Sequence, residues 1–113
     1  MDQEHRGLRF GFSASAQIAP ESSPTAFASA RVTELSLRGC FLETEASFEL
    51  QHAVLLKIHH SEEYFEAEAS VLYVTPSGVG LVFREIKPHF RAVLQKWILT
   101  ALDKEPGARE TPG

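Results

Sequence analysis

The chain has a single cysteine, Cys40, so no intrachain disulfide can form and a cysteine-based zinc site is excluded. No apolar run approaches the roughly 20 residues needed to cross a bilayer. The N-terminus is polar and charged, without the apolar centre of a signal peptide. A soluble cytoplasmic protein with no membrane span is the expectation. Excess positive charge is also lacking. A net charge of -4 argues against a partner that is a nucleic-acid polymer, which calls for a basic face.

Motifs of catalysis are missing as well. There is no Gly-x-Ser-x-Gly elbow and no phosphate loop of the Walker type. His59 and His60 are adjacent, so on a strand they point opposite ways, and no pair of metal-ligating residues shares a helix face. Glu66 and Glu68 read as the solvated side of a strand, and Cys40 as a small core residue. Neither an enzyme nor a metal site is expected.

What is present is apolar residue in quantity, 43% with eight Phe, enough for one packed domain of 113 residues. Phe10, Phe12, Ala14, Ala16 and Ile18 alternate with polar neighbours, the period of a half-buried strand. The composition of 19–25 predicts a loop. Further strands are expected over 27–35 and 40–43, then an irregular connection pinned by Phe48 and Leu50. Val54, Leu56 and Ile58 mark a fourth strand. The polar run 59–63 turns it into a fifth over 64–74, with Phe65, Ala67, Ala69, Val71 and Tyr73 facing inward. Val79, Leu81 and Phe83 lie on a sixth, after a turn at 75–78. Six short strands with tight turns predict a mainly β fold, a small antiparallel barrel without free edges.

After Pro88 the period changes. Phe90, Val93, Leu94, Trp97, Ile98, Ala101 and Leu102 follow i, i+3, i+4, i+7 spacing, the apolar stripe of a helix of about four turns. The stripe packs on the barrel, or serves a partner or a second copy as a homodimer surface. Residues 1–9 are expected as a flexible basic arm, 10–102 as barrel plus helix, and 103–113 as a disordered tail.

Three motifs carry a resemblance. The basic cluster His5-Arg6-Gly7-Leu8-Arg9 precedes the turn Glu34-Leu35-Ser36-Leu37-Arg38-Gly39, and Gly78-Val79-Gly80-Leu81-Val82-Phe83 follows near the end. In order and spacing these resemble the PilZ domain, a bacterial module that binds cyclic di-GMP through an Arg-x-x-x-Arg loop and an [Asp/Asn]-x-Ser-x-x-Gly turn. The resemblance covers roughly residues 5–102. It implies a six-stranded antiparallel PilZ-like β-barrel with a C-terminal α-helix.

The chemistry of such a site is straightforward. An Arg fork bridges phosphate oxygens or guanine acceptors, and its face stacks on a base. A carboxylate accepts from guanine N–H groups. By resemblance the ligand-binding residues are Arg6, Arg9, Glu34, Ser36, Gly39 and Arg38, with cyclic di-GMP as ligand and no metal. Arg31 and Arg38 are close enough in sequence to add charge. Ser36 and Gly39 match the family turn, while Glu34 stands in place of Asp or Asn. Arg6 and Arg9 are three apart where the family has four, and His5 occupies the fourth place. Either Arg6 reaches the site through Gly7, or the arm is degraded. Two functions follow. One is a receptor that couples cyclic di-GMP to an unknown protein partner. The other is a degenerate PilZ-like protein–protein interaction module that binds no nucleotide.

Overall fold

The computed structural model describes residues 9–103. Six strands form one closed barrel in which every neighbouring pair is antiparallel, in the order β1-β2-β3-β6-β5-β4. They are β1 (Phe10–Pro20), β2 (Ala28–Leu35), β3 (Gly39–Glu43), β4 (Ala53–His60), β5 (Glu63–Thr75) and β6 (Gly78–Glu85). One helix, α1 (Pro88–Asp103), follows. It starts at the proline because Pro lacks only a donor that a first helical turn leaves free, and the Lys87 carbonyl accepts from Arg91 N–H.

Alternation within the strands fills the barrel. Ile18, Val32, Leu42, Val54, Ile58, Phe65 and Ala69 are fully buried. Cys40 lies among them, as its apolar neighbours predict, and burial pushes its thiol pKa up to about 12. The helix lays Leu94, Trp97, Ile98 and Ala101 on the core, with Phe90 and Val93 partly buried. Trp97 packs against Phe12, His60 and Phe65, with ring centroids 5.3, 5.6 and 6.0 Å away. Its Nε1–H donates to Glu63 Oε1 at 2.9 Å, while Lys96 Nζ donates to Oε2 at 2.7 Å. The hydrogen bonds from Lys96 and then Trp97 hold the Glu63 carboxyl below its usual pKa.

Four expectations need correction. The loop predicted from Ala19 begins later, because β1 continues through Ala19 and Pro20, paired with Leu55 and Val54 of β4. Pro fits there at the end of the strand, where it leaves the ladder. The turn predicted over 59–63 shrinks to Ser61 and Glu62, since His60 pairs with Glu63 and Ser61 takes a positive φ of 56°. Phe48 packs against the core, but Leu50 is 62% exposed and pins nothing. Tyr73, predicted inward, is only half-buried and lies past a β-bulge between Val71 and Tyr73, which turns it to the outer face.

The helix takes in Asp103, one residue into the predicted tail. The remainder of that tail and the arm before Arg9 lie outside the described residues. No described helix is long and apolar enough to cross a membrane.

Candidate functional site

The turn between β2 and β3 is built by Ser36. Its Oγ accepts from the N–H groups of Arg38 and Gly39, both at 3.1 Å, and donates to the Gly39 carbonyl at 3.2 Å. The Ser36 N–H donates to the same carbonyl at 2.9 Å. This is the local side-chain-to-backbone bonding that suits Ser to turns. Ser36 is itself buried, so the hydroxyl serves the turn. Gly39 has an equally structural reason. A Cβ there would run into the Leu81 carbonyl of β6, so only glycine lets the two strands pair this closely. The Arg38 carbonyl accepts from Phe83 N–H at 2.8 Å, fixing the turn to β6.

Outside this frame stand the groups with free chemistry. Arg9 directly precedes β1, and Glu34 lies one position before the last residue of β2, beside Gly11 of β1. A register shift between Val32 and Glu34 keeps Val32 and Leu35 inside and Glu34 outside. Arg9 Nη1 donates to Glu34 Oε1 at 3.3 Å and to Tyr73 Oη at 2.9 Å. The hydrogen bond from Arg9 to Tyr73, then that to Glu34, raises the arginine pKa further, so the cation is permanent. Both members of the ion pair are about half exposed, 48% and 49%. Such a pair contributes only about 0–1 kcal/mol, and a better anion can take the guanidinium.

Below Arg9 lies a depression of about 300 Å³ lined by Arg9, Ser36, Arg38, Gly39, Leu72 and Val82, among others. The Arg38 side chain is exposed and also borders an adjoining depression that Arg84 and Arg91 line, with no acidic residue on its wall. Arg84 pairs with Glu21 at 3.3 Å. The acidic chain thus gathers cations around its Ser36 turn.

Of the residues named from sequence, the structure brings Arg9, Glu34, Ser36, Arg38 and Gly39 together around this turn. Arg6 lies outside the described residues. Arg31 does not join the cluster; its Nη1 donates to Ser13 Oγ at 2.9 Å, and it lines a separate groove toward the far end of the sheet, beside Glu43 and Glu45. Tyr73 is the residue that sequence reasoning missed. Gly80 was its signal, a strand glycine two residues after Gly78, where a neighbour must cover the bare backbone. Among the described residues no group of His, Cys, Asp and Glu gathers to hold a metal ion.

Comparison with known proteins agrees with this fold. The PilZ domain pattern matches residues 3–100. Among solved structures, the Bacillus subtilis inhibitor of motility (MotI/DgrA) shares 24% identity at a TM-score of 0.68, over 87% of this chain and 51% of its own. The chain therefore spans about half the length of that protein. The PilZ domain of YcgR from Escherichia coli, solved with c-di-GMP, shares 13% identity at a TM-score of 0.70, over 90% of this chain and 93% of its own. The PilZ domain of CeSA from a cellulose-synthesizing bacterium shares 11% at 0.65, over 88% and 99%. No curated protein matches by sequence. At these identities the structural likeness speaks for the barrel alone, but the sequence pattern spans most of the chain: it belongs to the PilZ domain family.

Proposed function

We propose that this chain is a cyclic di-GMP receptor of the bacterial cytoplasm that passes nucleotide binding on to a protein partner. The observation that carries the reading is the convergence of Arg9 and Arg38 on one depression beside the Ser36 turn, with Glu34 bonded to Arg9. Two arginines there face outward and suit phosphate oxygens, and the carboxylate suits guanine N–H groups. Binding is an exchange: the ligand takes over an Arg9–Glu34 pair that is itself of little stabilising value. In this reading residues 1–9 are the ligand-contacting arm, to which Arg6 and Arg9 belong, and residues 10–102 are the folded module. Ser36 and Gly39 hold the turn in shape. PilZ domains are binding modules, so no catalytic step is assigned.

A second reading rests on the same pair. Because Glu34 already pairs with Arg9, the cation has a partner without ligand, and the chain would act as a PilZ-like interaction module. The likeness to an inhibitor of motility makes motility a natural setting for the partner of either form. Calorimetric titration of the full chain with cyclic di-GMP decides between them. Saturable heat that weakens as salt rises supports the receptor. No heat at high micromolar ligand, in wild type and Glu34→Asp alike, leaves the interaction module.

A further inference from the structure

One row of residues crosses the outer face of the barrel beside the site. Glu34 of β2 pairs with Phe41 of β3, Phe41 with Gly80 of β6, and Gly80 with Tyr73 of β5. Gly80 is buried because the Tyr73 ring lies across it, in the space a Cβ would occupy. The Phe41 and Tyr73 rings approach over this glycine, with centroids 6.2 Å apart and planes 20° from parallel. Both are half-buried, so part of each ring faces solvent. The pair is an aromatic ledge on the outside of a barrel whose core does not use it.

Two features go beyond covering a bare glycine. A bulge in β5 is needed for Tyr73 to face outward, since strict alternation from Phe65, Ala67, Ala69 and Val71 would bury it. The residue passed over by that bulge, Leu72, is 58% exposed and lines the depression below Arg9. The tyrosine hydroxyl then reaches Arg9, whose guanidinium carbon is 5.8 Å from the ring centroid. Tyr73 and Glu34 share one nitrogen of the fork, Nη1; among the described residues Nε and Nη2 donate to no other group. The fork is therefore oriented, with its other edge left for an incoming anion.

We propose that Tyr73 and Phe41 form the base-stacking face of the nucleotide site, and that the Tyr73 hydroxyl positions Arg9 for the phosphate. The ligand class this fits is a purine nucleotide, whose flat base lies on the ledge while its phosphate meets Arg9 and Arg38. Stacking is indifferent to base identity, because every base has a π face. Selection of guanine is then left to Glu34, next to Phe41 in the row. This rests on the cyclic di-GMP reading and adds two residues to it.

The test uses the full chain and cyclic di-GMP, followed by calorimetry and proton NMR of the guanine H8. In wild type, ring current from the ledge shifts H8 upfield, and cross-relaxation connects H8 to ring protons of Tyr73 or Phe41. Tyr73→Leu and Phe41→Leu should each weaken binding by about 5- to 150-fold, the range for losing one base stack, and reduce the shift. Tyr73→Phe should keep the H8 shift yet weaken binding by about 2- to 13-fold through loss of one hydrogen bond to Arg9. If wild type binds but shows neither H8 shift nor cross-relaxation to these rings, the ledge is wrong while the receptor stands. Binding by both leucine variants within twofold of wild type overturns the ledge in the same way. Should a leucine variant fail to fold, the wild-type and Tyr73→Phe spectra still decide. No binding by wild type removes the receptor and this inference together.

Discussion

Replacing Trp97 by alanine removes the ring on which the helix is seated. Trp97 is 2% exposed and touches Phe12 of β1, His60 of β4 and Phe65 of β5, so each of three strands loses a contact with α1 at once. Large-to-small changes at a buried aromatic cost about 3–5 kcal/mol, the transfer term plus the cavity left behind. For a domain of roughly 100 residues, with about 5–15 kcal/mol of total stability, that is about a fifth or more of the whole. At roughly 4–8 °C per kcal/mol the midpoint should fall by about 12–40 °C. Trp97 is the only tryptophan, so unfolding in urea must be followed by far-ultraviolet circular dichroism and not by fluorescence. Trp97→Phe, which keeps a six-membered ring but loses the indole N–H to Glu63, should fall between wild type and alanine. A loss below about 1 kcal/mol in Trp97→Ala, accompanied by a change in sedimentation, would refute the reasoning. It would mean that the stripe serves a partner or a second copy rather than the barrel.

In the ligand site, Arg9→Ala should weaken cyclic di-GMP binding by about 10- to 150-fold, the range for one charge-assisted hydrogen bond, whereas Glu34→Asp should preserve or improve it; calorimetry reads both. Glu63 has a folded pKa lowered by Lys96 and Trp97, so its contribution is fully present above the usual carboxylate value of 4.5 and is lost as pH falls through the lowered value. Acid unfolding of Glu63→Gln beside wild type should show that this part of the pH dependence, confined below about pH 4.5, has gone. Cys40, buried with its thiol pKa pushed up to about 12, should resist alkylation by iodoacetamide at about pH 8 in the native protein and react once the chain is unfolded in urea, as mass spectrometry would show.

The barrel and helix were legible because their signal is local. Alternation along β1 and β5, the Ser36–Gly39 turn and the helical spacing after Pro88 each fit within a few residues, and a period of two or 3.6 reports which side is buried. Errors fell where that period is interrupted. At Tyr73 the bulge adds a residue to β5 relative to β6, and the sequence of β5 alone has no mark of the insertion. At Ala19 and Pro20, loop-like composition gave way to pairing with Leu55 and Val54.

Local pattern was enough for a small closed sheet, a helix with an apolar stripe, and a turn whose serine and glycine have one workable arrangement. What those residues do emerges when distant strands come together. Gly39 is required by the carbonyl of Leu81 on a distant strand, and Trp97 is seated by a carboxylate 34 residues earlier. Arg9, Glu34 and Tyr73 meet across separations of 25 and 64 residues because β1, β2 and β5 are closed into one barrel. The physical reason is range: backbone preference and hydrophobic period act between near neighbours, whereas register between strands, and with it the face each side chain takes, is fixed only when distant strands pair.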